Sequence, residues 1–399
     1  MVADGGRSHV DTRIHAIVLT QNRPETLGRC IATALSSLGP QDTLTILDDS
    51  LPMVSRANAA LLAATPNSSA GTRVHLSISR AREVIAQSVS PRGLLWMTKT
   101  APRDIAPQRN LALLLNVAMP AETIVLIDDD IYGFDLTATH YKTDRLTVIG
   151  GGVIVGADIR GINETDTIRR LSDAIDKLEK IPIGTKIEAV ANLFQVPGSS
   201  PSRFGSVFRH VSAGYLAFRL PSDRLFAFPP GYNEDWLWCL VHRGDTKVRI
   251  LRSGETVVHD PPEVRKSTRD DLLFELLGEF VFDCFEEQDG TNYLSPEAAL
   301  RYLSGRLPSP DWMPAARALD LIEKARCSTQ NGACLAVLGE YGLAVLEDML
   351  RSGELEMDGT QALTDWCDDA IAKQRAFAAT LRNKGAMFGL RLLMHKGRF

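Results

Sequence analysis

Ile124-Val125-Leu126-Ile127-Asp128-Asp129-Asp130 is the stretch that decides the fold. Four apolar residues running straight into three acids read as a buried strand that stops at a polar edge. Side chains alternate along a strand, so continued extension would aim Asp128 and Asp130 the same way. Two carboxylates at one sheet edge repel unless water or a cation neutralises them, and hard divalent ions such as Mg2+ or Mn2+ take such oxygen ligands. The plainer reading is a strand ending in a solvated acidic turn.

The same texture recurs on either side. Ile14 to Leu19 is a short apolar run ending in Thr20-Gln21-Asn22-Arg23-Pro24, and Leu27, Cys30, Ile31 and Leu35 then follow at helical spacing. Leu44 to Leu47 is a second strand closed by Asp48-Asp49-Ser50. A helix near 55–64, a strand near 73–77 and a helix over 110–118 lead into the acidic strand. Beyond it come a strand over 147–155 broken by Gly150-Gly151-Gly152, a helix over 167–180, a loop over 197–205 and a strand over 211–218. Alternating strands and helices predict an α/β domain with a largely parallel sheet. Ligands of such sheets gather beyond the carboxyl ends of the strands, which is where the three polar clusters fall. The glycine run fits neither a dinucleotide fingerprint nor a P-loop and reads as a turn.

The chain has 399 residues, enough for two to three domains at ~150 residues each. Its 44 basic and 49 acidic residues give a net charge of -5, which argues against a protein built mainly to grip nucleic acid. No apolar run approaches the ~20 residues of a membrane span, and the polar first residues lack a signal-peptide layout. Six scattered cysteines without a C-x-x-C pair suit reduced thiols, so a cytoplasmic protein is expected. After Pro261-Pro262 the pattern turns helical, with Leu272, Leu273, Leu276, Leu277 and Phe280 at helical spacing and a helix start at Ser295-Pro296-Glu297. The expected organisation is a short tail over 1–12, a catalytic domain over 13–262 and a helical domain over 263–399, which could also serve a homodimer. The basic, apolar-interleaved end over 382–399 could dock on an anionic membrane; packing on its own domain is the simpler reading.

Two further clusters carry chemistry. In Gly231-Tyr232-Asn233-Glu234-Asp235-Trp236-Leu237-Trp238, acids beside large aromatics are placed for a raised pKa and use as a base. The same residues suit a helix N-terminus, with Asn233 as cap and Glu234 and Asp235 in the first turn. Trp236 and Trp238 could stack on a sugar, but two residues apart on a helix they cannot share a face, so at least one belongs to the core. His259 follows a strand-like run and could supply a nitrogen ligand, although a lone histidine is more often structural.

Taken in order, the pieces resemble a GT-A-fold glycosyltransferase of the family 2 type. Thr20-Gln21-Asn22-Arg23-Pro24-Glu25-Thr26-Leu27 with Cys30-Ile31 is similar to that family's opening, and Asp48-Asp49-Ser50 to its second-strand turn. Gln108-Arg109-Asn110-Leu111-Ala112 resembles its "ARN" helix start, Asp128-Asp129-Asp130 its DxD motif, Ser212-Ala213-Gly214 its small-residue acceptor segment and Glu234-Asp235 its "ED" pair. The resemblance covers about 13–262. It implies a Rossmann-like mixed sheet and a metal-dependent, inverting transfer from a nucleotide-sugar, a UDP-sugar first, to an acceptor hydroxyl. Thr20, Asn22 and Arg23 would line the nucleotide pocket, and Asp48 or Asp49 would bind the nucleobase or ribose. Arg109 would approach base or diphosphate. Asp128, with Asp129 beside it, would contact ribose or sugar. Asp130 and His259 would hold Mn2+ or Mg2+, and Asp235, with Glu234 as rival, would deprotonate the acceptor. Part of 60–105 and the stretch between Asp130 and Ser212 are longer than that pattern and read as insertions that rebuild the acceptor site. The competing readings are a nucleotidyltransferase, disfavoured because 20–23 has no glycine and one arginine, and a silent carbohydrate-binding or scaffold protein.

Overall fold

The computed structural model describes residues 13–66, 71–136, 152–161, 214–221, 224–243, 248–259, 268–286, 296–304, 308, 310, 313–326 and 331–398. Its centre is one mixed sheet of eight strands: β1 (Ile14–Thr20), β2 (Thr43–Asp48), β3 (Thr72–Ser77), β4 (Thr123–Asp128), β5 (Ile131–Tyr132), β6 (Gly152–Gly161), β7 (Tyr215–Arg219) and β8 (Val248–His259). The spatial order is β3-β2-β1-β4-β7-β6-β8-β5. The first four strands in that order run parallel, β7 is antiparallel to both its neighbours, and β6 and β8 are parallel to each other.

Both faces of the sheet are covered, which is why β1 and β4 read as near-continuous apolar runs, whereas the edge strand β3 alternates. Ile17 and Leu19 of β1 and Ile124 and Leu126 of β4 pack on one face, under α4 (Ala106–Ala118) and α3 (Ile78–Ala86). Ile14, Ala16 and Val18, with Val125 and Ile127, pack on the other, under α1 (Pro24–Ser37) and α2 (Pro52–Ala64). Prolines at the first turns of α1, α2 and α4 start these helices where a missing N–H costs nothing.

The predicted strands near 14–20, 44–48, 73–77 and 123–128 are present, and the helix expected at 110–118 begins four residues earlier, at Ala106. Residues 60–105 are not an appendage. They supply β3, which pairs with β2 in register from Thr43↔Thr72 to Asp48↔Ser77, then α3 and a 3₁₀ turn over Pro91–Met97 that carries the buried Trp96. The predicted tail over 1–12, helix over 167–180, loop over 197–205 and turn at Pro261-Pro262 lie outside the described residues, as do Gly150, Gly151, Ser212 and Ala213.

Beyond the sheet come α5 (Glu234–Arg243), α6 (Arg269–Glu286), α7 (Pro296–Ser304), α8 (Pro314–Arg326), α9 (Asn331–Arg351), α10 (Gly359–Leu381) and α11 (Lys384–Lys396). Asp358 caps α10 by accepting from the N–H groups of Thr360 and Gln361, and Asn383 caps α11 by accepting from Ala386. Phe377 of α10 and Ala386, Leu390 and Met394 of α11 are buried in the same cluster as Ile17 and Leu126. The last two helices thus complete the cover of one sheet face. The basic segment over 382–399 docks on its own chain: Arg391 Nε donates to the Ala118 carbonyl at 2.8 Å, and the N–H of His75 in β3 donates to the Gly397 carbonyl at 3.1 Å.

Both tryptophans of α5 are core residues, so neither offers a free stacking face. Trp238 stacks on Phe228 with centroids 4.5 Å apart, and Trp236 meets Phe282 of α6 at 5.2 Å. Cys30, Cys239, Cys284 and Cys367 are free thiols and buried.

Candidate active site

The chain runs β1 to β2 to β3 on one side of β1, then returns to place β4 on the other. That reversal opens a crevice at the carboxyl ends of β1 and β4, the ligand position of open α/β sheets. Thr20 closes β1, Arg23 enters α1, and Asp128-Asp129-Asp130 leaves β4, so all five reach the crevice.

Extension stops at Asp128, and the chain turns through Asp129 and Asp130. The expectation that Asp128 and Asp130 project alike therefore fails, because strand alternation ends with the strand. Asp128 lies on the α4 side of the sheet, and its Oδ1 faces Arg109 Nη2 at 3.5 Å. Asp129 and Asp130 share one cation instead: Arg23 Nη1 is 3.2 Å from Asp129 Oδ1 and 2.9 Å from Asp130 Oδ2. Thr20 Oγ1 donates to Asp129 Oδ2 at 2.6 Å. Burial foremost, with Asp130's charge added, outweighs Arg23 and Thr20 and pushes Asp129 up to about 7. Burial likewise raises Asp128 against the pull of Arg109. At Asp130 burial is opposed by the hydrogen bond and charge of His259 and by Arg23, which together hold it below the ordinary carboxylate value.

His259 is delivered by sheet register. It ends β8 and pairs with Ile131, one residue past Asp130, which brings its Nε2 to 3.3 Å from Asp130 Oδ2. Adjacent ligands of a six-coordinate Mg2+ at 2.0–2.1 Å stand about 3 Å apart, so these two atoms fit neighbouring positions on one ion. Among the described residues no group of three or more His, Cys, Asp or Glu converges on one point. Two protein donors with the rest from water and substrate phosphate is the usual arrangement for such an ion.

Arg109, buried in α4, is the hub of the opposite wall. Its Nη1 is 2.8 Å from Glu234 Oε1 and 3.8 Å from Asp235 Oδ2, and its guanidinium lies over the Phe228 ring. Glu234 is buried, and burial raises its carboxyl well above the ordinary range against the opposing charge of Arg109. Asp235 is more open, and its Oδ1 accepts the Trp236 N–H at 2.8 Å. Asn233 occupies the cap position, its carbonyl accepting from Leu237 N at 3.0 Å, but its side chain is not the cap: Nδ2 donates to Glu279 Oε1 of α6 at 2.7 Å.

The second-strand turn separates its two acids. Asp48 is consumed internally, accepting from the Ser50 N–H at 2.8 Å and Asn58 Nδ2 at 3.1 Å and meeting His75 Nε2 at 2.9 Å. Asp49 faces the crevice, with Lys99 Nζ at 2.5 Å and Gln108 Nε2 at 3.0 Å on its Oδ2. Asn22 has a φ of 57°, in the left-handed region, and its Oδ1 accepts the Leu51 N–H at 2.9 Å. It shapes the rim by tying the β1 loop to the β2 loop. Lys99 escaped the sequence reading because it lies in an irregular stretch without periodicity. Asn58 and His75 escaped it because only β2–β3 pairing brings them to Asp48.

No protein-family model and no curated protein matches the chain. Among solved structures, glucosyl-3-phosphoglycerate synthase from Mycobacterium tuberculosis, in complex with Mn2+, UDP and glucosyl-3-phosphoglycerate, aligns at a TM-score of 0.37 and 16% identity over 63% of this chain and 73% of that one. The same enzyme with Mn2+, UDP-glucose and phosphoglyceric acid aligns at 0.37 and 15% over 63% and 73%. A likeness at that level carries no weight for the chemistry of this chain. Among the described residues no helix is long and apolar enough to cross a membrane.

Proposed function

We propose that this chain is a metal-dependent glycosyltransferase of the GT-A type, moving a sugar from a nucleotide-sugar, a UDP-sugar first, to an acceptor hydroxyl with inversion. The observation that carries this reading is the convergence, at the β1/β4 switch point, of Asp128 to Asp130 with Arg23, Arg109, His259 and the Glu234-Asp235 pair. A sugar diphosphate needs both a cationic site for its leaving group and a carboxylate for the attacking hydroxyl, and this crevice offers the two on opposite walls.

Asp130 and His259 would hold Mn2+ or Mg2+. When bound, the ion supplies Lewis-acid stabilisation of the charge on the departing diphosphate. Arg23 holds Asp129 and Asp130 in place from the α1 side. Asp49, braced by Lys99 and Gln108, is the acid presented to the nucleobase or ribose, since Asp48 is already satisfied. Thr20 and Asn22 shape the pocket through Asp129 and the Leu51 N–H. Asp235 accepts the proton of the acceptor hydroxyl as its oxygen bonds to the anomeric carbon and the nucleoside diphosphate leaves with the bonding electrons. Glu234 is the weaker candidate for base because it is deeper and engaged by Arg109. One positioned base typically contributes ~10²–10⁴-fold.

The test is a thermal-shift panel of nucleoside diphosphates and nucleotide-sugars with and without Mn2+, because a ligand that binds only the folded state raises the midpoint. A metal-dependent shift for UDP and one UDP-sugar, abolished in Asp130→Ala and His259→Ala, is expected. Asp235→Asn should keep that shift and lose turnover. A panel without any metal-dependent shift would overturn the proposal.

A further inference from the structure

Resting on that reading, we infer that Gly278 and Glu279 of α6, in the helical part of the chain, are positioning residues that aim the Glu234-Asp235 pair. Among the described residues two non-glycine residues have positive φ, Asn22 at 57° and Asn233 at 63°, and both border the crevice. Asn233 immediately precedes the carboxylate pair, so its backbone sets the direction in which α5 starts. A left-handed residue persists where its surroundings over-determine it, and strain of this kind concentrates at functional sites. Two contacts from α6 do the determining here. Glu279, itself buried, accepts from Asn233 Nδ2 at 2.7 Å. Gly278 lets the helix backbone lie against Tyr232: a Cβ at 278 would fall 2.5 Å from Tyr232 Cβ and 2.6 Å from its carbonyl oxygen.

The rest of the approach is pinned from the same side and from α4. Asn110 brackets Phe228 with two hydrogen bonds, 2.6 Å from the Phe228 N–H and 3.1 Å to its carbonyl. Gln374 of α10 accepts the Ala227 N–H at 2.8 Å, and Trp366 Nε1 donates to the Pro230 carbonyl at 2.9 Å. One and two turns back along α6, Glu275 and Asp271 hold Arg103 at 3.2 and 2.9 Å, which braces the loop that carries Lys99. The face of α6 that carries 271, 275 and 279 therefore steadies both walls of the crevice, and Gly278-Glu279 is its contact with Tyr232-Asn233, the two residues that lead into the carboxylate pair.

The experiment uses the full chain with UDP-glucose and Mn2+, water standing in for the acceptor, and reads UDP release together with the Kd of UDP with Mn2+. Misplacing a reacting group by about 1 Å costs up to ~10²-fold, so Gly278→Ala, Glu279→Met and Asn233→Gly should each lower kcat by about 10–100-fold. Their Kd for UDP with Mn2+ should stay within about twofold of wild type, since donor binding is made elsewhere. Glu279→Gln keeps the acceptor oxygen and should restore most of kcat. Glu279→Met and Asn233→Gly combined should cost no more than the larger single loss, as expected for two ends of one contact. Should one variant fail to fold, the other two carry the same readout. Wild-type kcat in the variants that fold, or a Kd that rises as kcat falls, overturns this inference alone. A wild type that binds UDP with Mn2+ but releases no UDP from UDP-glucose also overturns it. A wild type that does neither overturns the glycosyltransferase reading as well.

Discussion

Replacing Arg109 with methionine should be the most damaging single change at the crevice, and its cost can be worked from the geometry. The guanidinium is buried and faces three carboxylates: Glu234 at 2.8 Å, Asp128 at 3.5 Å and Asp235 at 3.8 Å. Methionine keeps most of the volume, so packing loss is small and the effect isolates charge. Removing one partner of a buried ionic group typically costs about 3–5 kcal/mol, because the remaining charges stay buried without compensation. At 2–4 °C per kcal/mol for a folding unit of 150–250 residues, the midpoint should fall by roughly 6–20 °C. The pH dependence carries a distinct signature. Burial already holds Glu234 above its unfolded value, and loss of Arg109 removes an influence that lowers it. A carboxyl raised in the folded state is favourable below its unfolded pKa and loses that contribution as pH rises through the folded pKa. The deficit of Arg109→Met should therefore be largest at pH 8 and shrink towards pH 5. Adding Glu234→Gln should recover part of it at the higher pH. Thermal melts of the single and double variants across that range decide the matter. A midpoint within about 2 °C of wild type at pH 8 would refute the claim that Arg109 compensates these carboxylates.

Other consequences are open to direct measurement. Burial holds His15 down to about 4, and burial with the nearby Arg224 holds His242 down to about 3, so neutral imidazoles contribute stability above pH 6.5 that is lost as pH falls through those values. His242→Phe, which fits the ring box of Phe226 and Trp238, should flatten the acid limb of the stability profile; an unchanged limb would exclude His242 as its source. At Asp48 burial would raise the pKa, but hydrogen bonds from His75, Ser50 and Asn58 outweigh it and hold the carboxyl at about 2, so its contribution is present above its ordinary 3.8 and fades as pH falls towards 2. Asp48→Asn should weaken the protein at neutral pH and narrow its difference from wild type at pH 2–3, as read by urea midpoints. Leu390→Ala on α11 should cost about 2–5 kcal/mol if that helix belongs to the core, whereas a peripheral helix would leave the midpoint in place.

The two central parallel strands were legible because burial on both faces writes itself as near-continuous apolar runs, as in Ile14 to Leu19, where His15 is the one polar residue, and Ile124 to Ile127. The residues that end those runs were legible for the same reason, since a buried strand must stop where polar groups reach water. Contacts made by pairing were not. His259 meets Asp130 only through β5–β8 register, and His75 meets Asp48 only through β2–β3 register. Direction at a turn was also hidden: nothing in Asp128-Asp129-Asp130 says that the strand ends at the first acid and leaves the second and third to share Arg23. Glu279 was invisible because an acid in an apolar helical pattern reads as a solvated face, whereas here it looks inward at Asn233. The 3₁₀ turn over Pro91–Met97 has too short a period to register against helix or strand.

The union of the last helices with the first sheet sets the order of events during synthesis. Asn383 Nδ2 donates to the Ser88 carbonyl across 295 residues of sequence, and Thr380 Oγ1 donates to the Gly93 carbonyl across 287. A ribosome adding 5–20 residues per second needs roughly 15–60 s to cover that distance. Through that interval Leu76, Ile85 and Trp96 have emerged without the Phe377, Leu390 and Met394 that will cover them. The nascent chain thus displays one sheet face that α3 and α4 cover only in part until the last two helices arrive. Ribosomes stalled within α10 should carry a protease-sensitive N-terminal half, and completion and release of α10 and α11 should close it.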